Sequence, residues 1–425
     1  MLGRLTFSPG RLRGELSVPG DKSISHRALI AAASLRHPVR ITNLNPGRDV
    51  TATFEGLRAL GVRAERGPAD AVVQGAPLRP PGTLQCHNSG STARMLLGAC
   101  AGAGVAARFD GDDSLRRRPM EPVAAQLRAF GARIDTAGGY LPLDLHGTPA
   151  IQTRSFILLA PSAQVKSALL FAGLFANAPV RVAGDRGSRD HTERLLRYLG
   201  GTVAWDGRTV TLAAEPLVPR DIQVPGDFSS AAFFLTAAAI VPGSSIVVRD
   251  TGVNPTRTGL LEVLTRMGAR LELRNSRTVC DEPRADVAVE YAPLRGIAVD
   301  RDLALRAVDE IPLVALAAAF AEGETRIAGV GDLRFKESDR VAGIVRLLEA
   351  VGVAVDRTGN DLKIRGGNAT RASGAGIDAR GDHRIAMAAA VLGCAAGPIS
   401  VEGDPAVGVS FPGFVETLDA VRLPA

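Results

Sequence analysis

The chain has 425 residues, 46% of them apolar and only 4% aromatic, with a formal net charge of +6. That length exceeds one ordinary hydrophobic core, so two domains are expected. The basic residues form neither a tail nor a stripe interleaved with aromatics, which argues against nucleic acid, and no apolar run is long enough to span a bilayer. Met1-Leu-Gly-Arg-Leu-Thr lacks the form of a signal peptide, and Cys86, Cys100, Cys280 and Cys394 are widely spaced without a CxxC pair. A reducing, cytoplasmic setting is expected, with no zinc cluster and no other metal set. Among 50 basic residues only Lys22, Lys166, Lys336 and Lys363 are lysines. Lysine is a compact charge that burial can tune, a role arginine does not fill.

The first predicted helix follows the chain break Pro19-Gly20. Asp21 or Ser23 caps it, Lys22, Ser23, Ser25, His26 and Arg27 fill its first turn, and an apolar run continues it to about residue 35. Free N–H groups and the positive end of a helix dipole beside two cations make an anion site, although alone the run equally describes an ordinary capped helix. A strand over 39–42, an amphipathic helix over 50–60 and strands near 62–66 and 71–74 complete a unit. The unit recurs: Gly61, Gly131, Gly200, Gly268 and Gly352 each end a leucine-rich helix, mostly about 70 residues apart. Leu418-Asp-Ala-Val-Arg-Leu reads as a truncated sixth copy. The apolar helices of successive units are expected to begin near Lys22, Gly90, Ser162, Asp227, Asp309 and Asp382. Strands near 105–109, 180–182, 245–248 and 325–327 then cover them.

Val18-Pro-Gly-Asp21 is echoed by Val224-Pro-Gly-Asp227, with three units between the two and about three after. Both Pro-Gly pairs are taken as crossings between similar halves. The expected domains are 21–225 and 1–20 plus 226–425. The predicted fold is α/β, two domains each of three βαβαββ repeats in an inverse barrel-like arrangement, with helix N-termini facing an interdomain cleft.

Alignment of the units collects the polar residues at helix starts: Lys22-Ser-Ile-Ser-His-Arg27, Asn88-Ser-Gly-Ser-Thr-Ala-Arg94, Ser162-Ala-Gln-Val-Lys166, Gly226-Asp-Phe-Ser-Ser230, Val308-Asp-Glu-Ile-Pro312 and Gly381-Asp-His-Arg384. Leu115-Arg-Arg-Arg-Pro119, Ser188-Arg-Asp-His-Thr192 and Phe335-Lys-Glu-Ser-Asp-Arg340 lie at or near the second helices. Converging dipole ends and arginines suit phosphates and carboxylates. Asp309 and Glu337 would weaken anion binding, which suggests acid–base work; a helix cap and an exposed first-turn acid are their plain alternatives. No HExxH, Walker loop, GxGxxG after a strand or GxSxG elbow is present, and His26 reads as a core residue.

These runs, with DSLRRRPM over 113–120, PGDFSSAAFF over 225–234, LRFKESDR over 333–340 and GDHRIAMA over 381–388, resemble the EPSP synthases, the 3-phosphoshikimate 1-carboxyvinyltransferases of aromatic amino-acid biosynthesis. The resemblance covers the chain from end to end and implies the fold stated above. It implies transfer of the enolpyruvyl group of phosphoenolpyruvate to the 5-hydroxyl of shikimate 3-phosphate, with phosphate released and no cofactor or metal. The resemblance places Ser23 and Arg27 on the shikimate carboxylate, Ser162, Ala163 and Ser188 on its phosphate, and Gln164 against its ring. Lys22, Gly90, Arg118 and Gln164 surround the phosphate of phosphoenolpyruvate, and Arg340 and Arg384 clamp its carboxylate. Asp309 and Lys336 reach the attacking hydroxyl, with Lys22 also counted in the catalytic set. Asp309 is the implied base and Glu337 the implied acid. The two substrates are the only expected partners, with no nucleic acid or membrane, and a monomer is expected.

Two positions depart from the family pattern. A lysine that binds phosphoenolpyruvate in one branch is Val409 here, and a tyrosine on the shikimate ring in some members is His191. Gly90 keeps the glycine tied to glyphosate sensitivity. A sister enzyme uses UDP-N-acetylglucosamine as acceptor, but its members usually carry a cysteine in the loop that here reads Asp110-Gly-Asp-Asp-Ser-Leu-Arg-Arg-Arg-Pro119. A repeat scaffold binding an acidic partner would carry similar residues at each helix start, and here every start differs.

Overall fold

A computed structural model describes residues 4–372, 374–402 and 404–424. The chain divides into two compact units, one of Gly20–Val224 with Thr278–Glu282, the other of Met1–Pro19, Pro225–Arg277 and Pro283–Ala425.

The Gly20–Val224 unit is built on three apolar helices, Lys22–Ala32, Gly90–Gly102 and Ala163–Phe175. Each is capped by a short polar side chain that accepts a backbone N–H of the first turn: Asp21 from Ile24, Ser89 from Thr92, Ser162 from Val165. Most of each helix is buried, because alanine, leucine and glycine fill nearly every turn. The Gly90 and Ala163 helices touch backbone to backbone. A Cβ on Gly98 would lie 2.1 Å from the Ala168 carbonyl oxygen, and one on Gly102 2.1 Å from that of Ala172. Glycine is therefore required at both contacts, which bring the two helix starts side by side.

Three four-stranded sheets cover these helices, and each follows one pattern. A strand, the apolar helix and a parallel strand are followed by a second helix and an antiparallel pair. Thr83–Gln85 thus pairs in parallel with Ala107–Asp110, and Ser155–Ile157 with Val180–Ala183. The first sheet takes its opening strand from the far end of the unit, where Ile222–Gln223 pairs in parallel with Val39–Thr42. Alternating burial in Val39–Thr42 and Ala71–Gln74 turns one face of this sheet inward.

The other unit repeats the plan on Phe228–Ile240, Ile311–Phe320 and His383–Ala396. Asp227 and Asp382 cap the first and third. The N-terminal strands complete its sheets: Gly10–Ser17 pairs in parallel with Ser245–Gly252, and Arg4–Phe7 runs antiparallel to Ile399–Glu402. The sixth copy is thus closed by residues from the opposite end of the chain, and Arg422–Pro424 pairs with Gly10–Ser17. Scarce aromatics concentrate here. Phe233, Phe234, Phe411 and Phe414 pack with ring centroids 5.6–6.1 Å apart, which anchors the helix Phe414–Val421 to the core.

The fourth unit departs from the expected pair of short strands. Arg270–Val279 and Glu282–Glu290 form a hairpin of ten- and nine-residue strands. Its tip, Thr278–Glu282, groups with the Gly20–Val224 unit. Polar anchoring explains this: His191 Nδ1 lies 2.7 Å from Glu282 Oε1, and Arg197 Nη2 2.9 Å from Asp281 Oδ2. The apolar helix of the fifth unit begins at Ile311 rather than Asp309, with Pro312 in its first turn, so Asp309 and Glu310 stand just before the helix.

Candidate active site

In the Gly20–Val224 unit, three helix starts carry the expected anion-binding residues. Lys22 opens its helix and is held by Asp49, Nζ to Oδ2 at 2.8 Å. Ser23 is partly exposed. One turn on, Arg27 is 3% exposed, and its hydrogen bonds go to neutral oxygens: Nε to Thr192 Oγ1 at 2.8 Å, Nη1 to the Ser23 carbonyl at 2.8 Å and Nη2 to Ser167 Oγ at 2.9 Å. Burial lowers its pKa to about 10, with Glu193 opposing, so the group stays cationic at neutral pH. A buried cation bonded to hydroxyls and a carbonyl is ready for an incoming carboxylate. His26 is fully buried with Nδ1 2.7 Å from Thr53 Oγ1. Burial, then Lys22 and Arg27, push its pKa well below the usual value. It is a neutral core residue.

Gly90 starts the second helix. A Cβ there would meet Arg94 Nη1 at 2.5 Å and Arg118 Nη1 at 3.7 Å. Arg118 is 8% exposed and bonds Asn88 through its carbonyl at 3.2 Å and its Oδ1 at 2.5 Å, and Ser114 Oγ at 3.1 Å. Gln164, in the first turn of the third helix, accepts from Arg94 Nη1 at 3.0 Å and donates to Ser91 Oγ at 2.9 Å. Arg94 Nη1 also donates to the Gly90 carbonyl at 3.4 Å and its Nη2 to the Pro119 carbonyl at 2.8 Å, so Arg94, which has no role in the sequence reading, ties Gly90 and Gln164 to the residue that follows Arg118. Ser162 caps the third helix and Ala163 begins it. Ser188 is buried, its Oγ has no protein hydrogen-bond partner, and its N–H donates to Asp185 Oδ1 at 3.1 Å. His191 bonds Glu282.

In the other unit the acids and arginines meet. Arg340, 1% exposed, donates from Nε to Asp382 Oδ2 at 2.9 Å, from Nη1 to Asp309 Oδ1 at 3.4 Å and from Nη2 to Glu337 Oε2 at 2.5 Å. Burial opposes its charge, but Asp382, Glu337 and Asp309 outweigh that and raise its pKa. Arg384 Nη1 donates to Ser229 Oγ at 2.8 Å and to the Asp309 carbonyl at 3.1 Å, and its Nη2 lies 3.6 Å from Asp309 Oδ2. Beneath it, fully buried Glu310 sits between Arg384 and Arg257, at 3.4 and 3.3 Å. Arg257, Glu310 and Ser229 went unrecognised as a group. Their spacing in the chain gives no hint that a loop arginine would reach two helix starts. Lys336 is partly exposed at the end of the turn Gly331–Phe335, beside Glu337. Val409 ends the turn Asp404–Val409. Among the described residues, no group of three or more His, Cys, Asp or Glu is placed to hold a metal, and no helix is long and apolar enough to cross a membrane.

Repeated βαβαββ units, apolar helices with polar starts, and acids bound to buried arginines define an enzyme of the enolpyruvyl transferase fold. The crystal structure of the enolpyruvyl transferase NikO from Streptomyces tendae superposes with a TM-score of 0.75 over all of both chains, at 19% identity, and shows that fold alone. The family model described as EPSP synthase (3-phosphoshikimate 1-carboxyvinyltransferase) matches residues 7–418. A 3-phosphoshikimate 1-carboxyvinyltransferase of Desulforudis audaxviator is 45% identical over 99% of both chains. The EPSP synthase structure from Acinetobacter baumannii is 36% identical, with a TM-score of 0.87 over 99% of this chain and 98% of that one. The chain belongs to the EPSP synthase family, a family of transferases.

Proposed function

We propose that the protein transfers the enolpyruvyl group of phosphoenolpyruvate to the 5-hydroxyl of shikimate 3-phosphate, releasing phosphate. The observation that carries this reading is the match along whole chains to proteins named for that activity. Arg27 supports it as a buried cation facing neutral partners, and Ser188 supports it with a buried hydroxyl that has no protein partner.

Arg27 and Ser23 take the shikimate carboxylate; Ser162, the backbone of Ala163 and Ser188 take its phosphate; Gln164 lies against the ring. Lys22, Gly90, Arg118 and Gln164 receive the phosphate of phosphoenolpyruvate, and Arg340 and Arg384 its carboxylate. Glu337 gives a proton to the methylene carbon, which leaves cationic character on the carbon bearing phosphate. The 5-hydroxyl, stripped of its proton by Asp309 with Lys336 and Lys22 alongside, bonds to that carbon. The resulting adduct returns a methyl proton to the Glu337 carboxylate as its carbon–oxygen bond to phosphate breaks, which regenerates the vinyl group and releases phosphate. Exchange of Arg384 from its bond to Asp309 onto substrate frees the base at the moment it is needed.

The test is product identity. Mass spectrometry of a reaction with both substrates should show the carboxyvinyl ether of shikimate 3-phosphate, formed one for one with phosphate. Phosphate without the ether would refute transfer. The protein is expected to work in the cytoplasm as a monomer.

A further inference from the structure

We propose that Lys166, one of only four lysines, is a positioning residue that holds the shikimate 3-phosphate subsite in shape from beneath, without touching substrate. The proposal rests on the functional reading above. Lys166 lies within its helix with a side chain 0% exposed. Its Nζ is 2.7 Å from Asp185 Oδ2 and 2.6 Å from Glu193 Oε1, two carboxylates 0% and 2% exposed. It also donates to the Ser188 carbonyl at 3.4 Å, while Asp185 Oδ1 accepts the Ser188 N–H at 3.1 Å. Both backbone polar groups of Ser188 are therefore fixed by the Lys166–Asp185 pair, and its hydroxyl remains without a protein partner.

The same cluster reaches Arg27. Ser167, next to Lys166, and Thr192, next to Glu193, bond each other at 2.7 Å and accept from Arg27 at 2.9 and 2.8 Å. Lys166 also sits one turn from Ser162, its backbone N–H donating to the Ser162 carbonyl at 3.0 Å. The phosphate-side residues Ser162 and Ser188 and the carboxylate-side Arg27 thus hang on one buried ammonium. Two cations, Lys166 and Arg27, balance two carboxylates, Asp185 and Glu193. Burial pushes the Glu193 carboxyl up, and Lys166 only partly offsets this.

A buried ion cluster is weak evidence for stability, since an apolar cluster of the same volume serves as well or better. What an apolar cluster would lack is the paired hold on the Ser188 backbone. Loss of a charged hydrogen bond that preorganises a subsite should weaken that subsite alone.

The variant Lys166→Met/Glu193→Gln removes one charge of each sign at nearly constant volume. It should unfold cooperatively, raise KM for shikimate 3-phosphate and its calorimetric dissociation constant by about tenfold, and shift KM for phosphoenolpyruvate by less than about twofold. In a Ser188→Ala background the same pair of changes should have much less effect, because coupled residues are not additive. A folded variant with unchanged affinity for shikimate 3-phosphate, or with both KM values raised equally, overturns the proposal. Should the double variant fail to fold, Asp185→Asn is measured by the same criteria. Wild-type protein that does not turn over shikimate 3-phosphate would instead refute the functional reading itself.

Discussion

Glu337 and Arg340, three residues apart, are joined by a 2.5 Å hydrogen bond from Nη2 to Oε2, and the same guanidinium reaches Asp309 at 3.4 Å. Two carboxylates assigned to opposite proton transfers therefore share one buried cation. Each needs a separate partner during reaction, so neither should substitute for the other. Glu337→Gln and Asp309→Ala should each lower kcat by about 10²–10⁴-fold, the usual worth of a positioned acid or base. Titration with shikimate 3-phosphate should still show binding. Near-normal turnover in either variant would remove its assigned role.

Gly90→Ala should weaken both phosphoenolpyruvate and glyphosate. The added methyl lies 2.5 Å from Arg94 Nη1, so Arg94 must leave Gln164 or press toward Arg118. Arg94 can swing aside, so the cost is that of its charged hydrogen bond to Gln164, about 1.5–3 kcal/mol, or on the order of tenfold or more in KM and in the inhibition constant. Glyphosate inhibition measured against varied phosphoenolpyruvate should be competitive in wild type. Equal inhibition of the two forms would contradict the geometry.

Gly98→Ala should lower stability. Its Cβ would lie 2.1 Å from the Ala168 carbonyl oxygen, backbone that cannot step aside without separating two helices. A loss on the order of 3 kcal/mol in urea unfolding is expected. An unchanged midpoint would mean the two helices are not in such close contact.

His26 should make the fold acid-sensitive. Its pKa is lowered by burial, Lys22 and Arg27, so the unfolded chain takes up a proton that the folded chain refuses. Its contribution is fully present above the unfolded value of about 6.5 and is lost as pH falls below it, by up to about 1.4 kcal/mol per pH unit. His26→Gln should flatten that slope in denaturant titrations at pH 7 and 5.5. An identical slope would show that His26 is not the group responsible.

The repeat was legible because a glycine after each amphipathic helix leaves a mark that does not depend on context. Val39–Thr42 and Ala71–Gln74 fall on the bounds expected from the repeat unit. The first strands were expected to belong with the C-terminal half, but the pairings of the closing strands were not legible. Ile222–Gln223 and Arg4–Phe7 are short, and their partners lie at the opposite end of each unit. A pair of strands after Gly268 was expected, but the length of the hairpin Arg270–Glu290 was missed, since its outer strand is mostly exposed and polar. In the site, helix starts were readable as caps and basic turns. Arg257 beneath Glu310, and Asp49 on Lys22, depend on tertiary packing that no local pattern records.

The central claim is acceptor identity, and side-by-side phosphate release tests it most directly. With phosphoenolpyruvate present, shikimate 3-phosphate should drive stoichiometric phosphate release, while UDP-N-acetylglucosamine at the same concentration should give only the background rate. Release driven by UDP-N-acetylglucosamine, with none from shikimate 3-phosphate, would contradict the account.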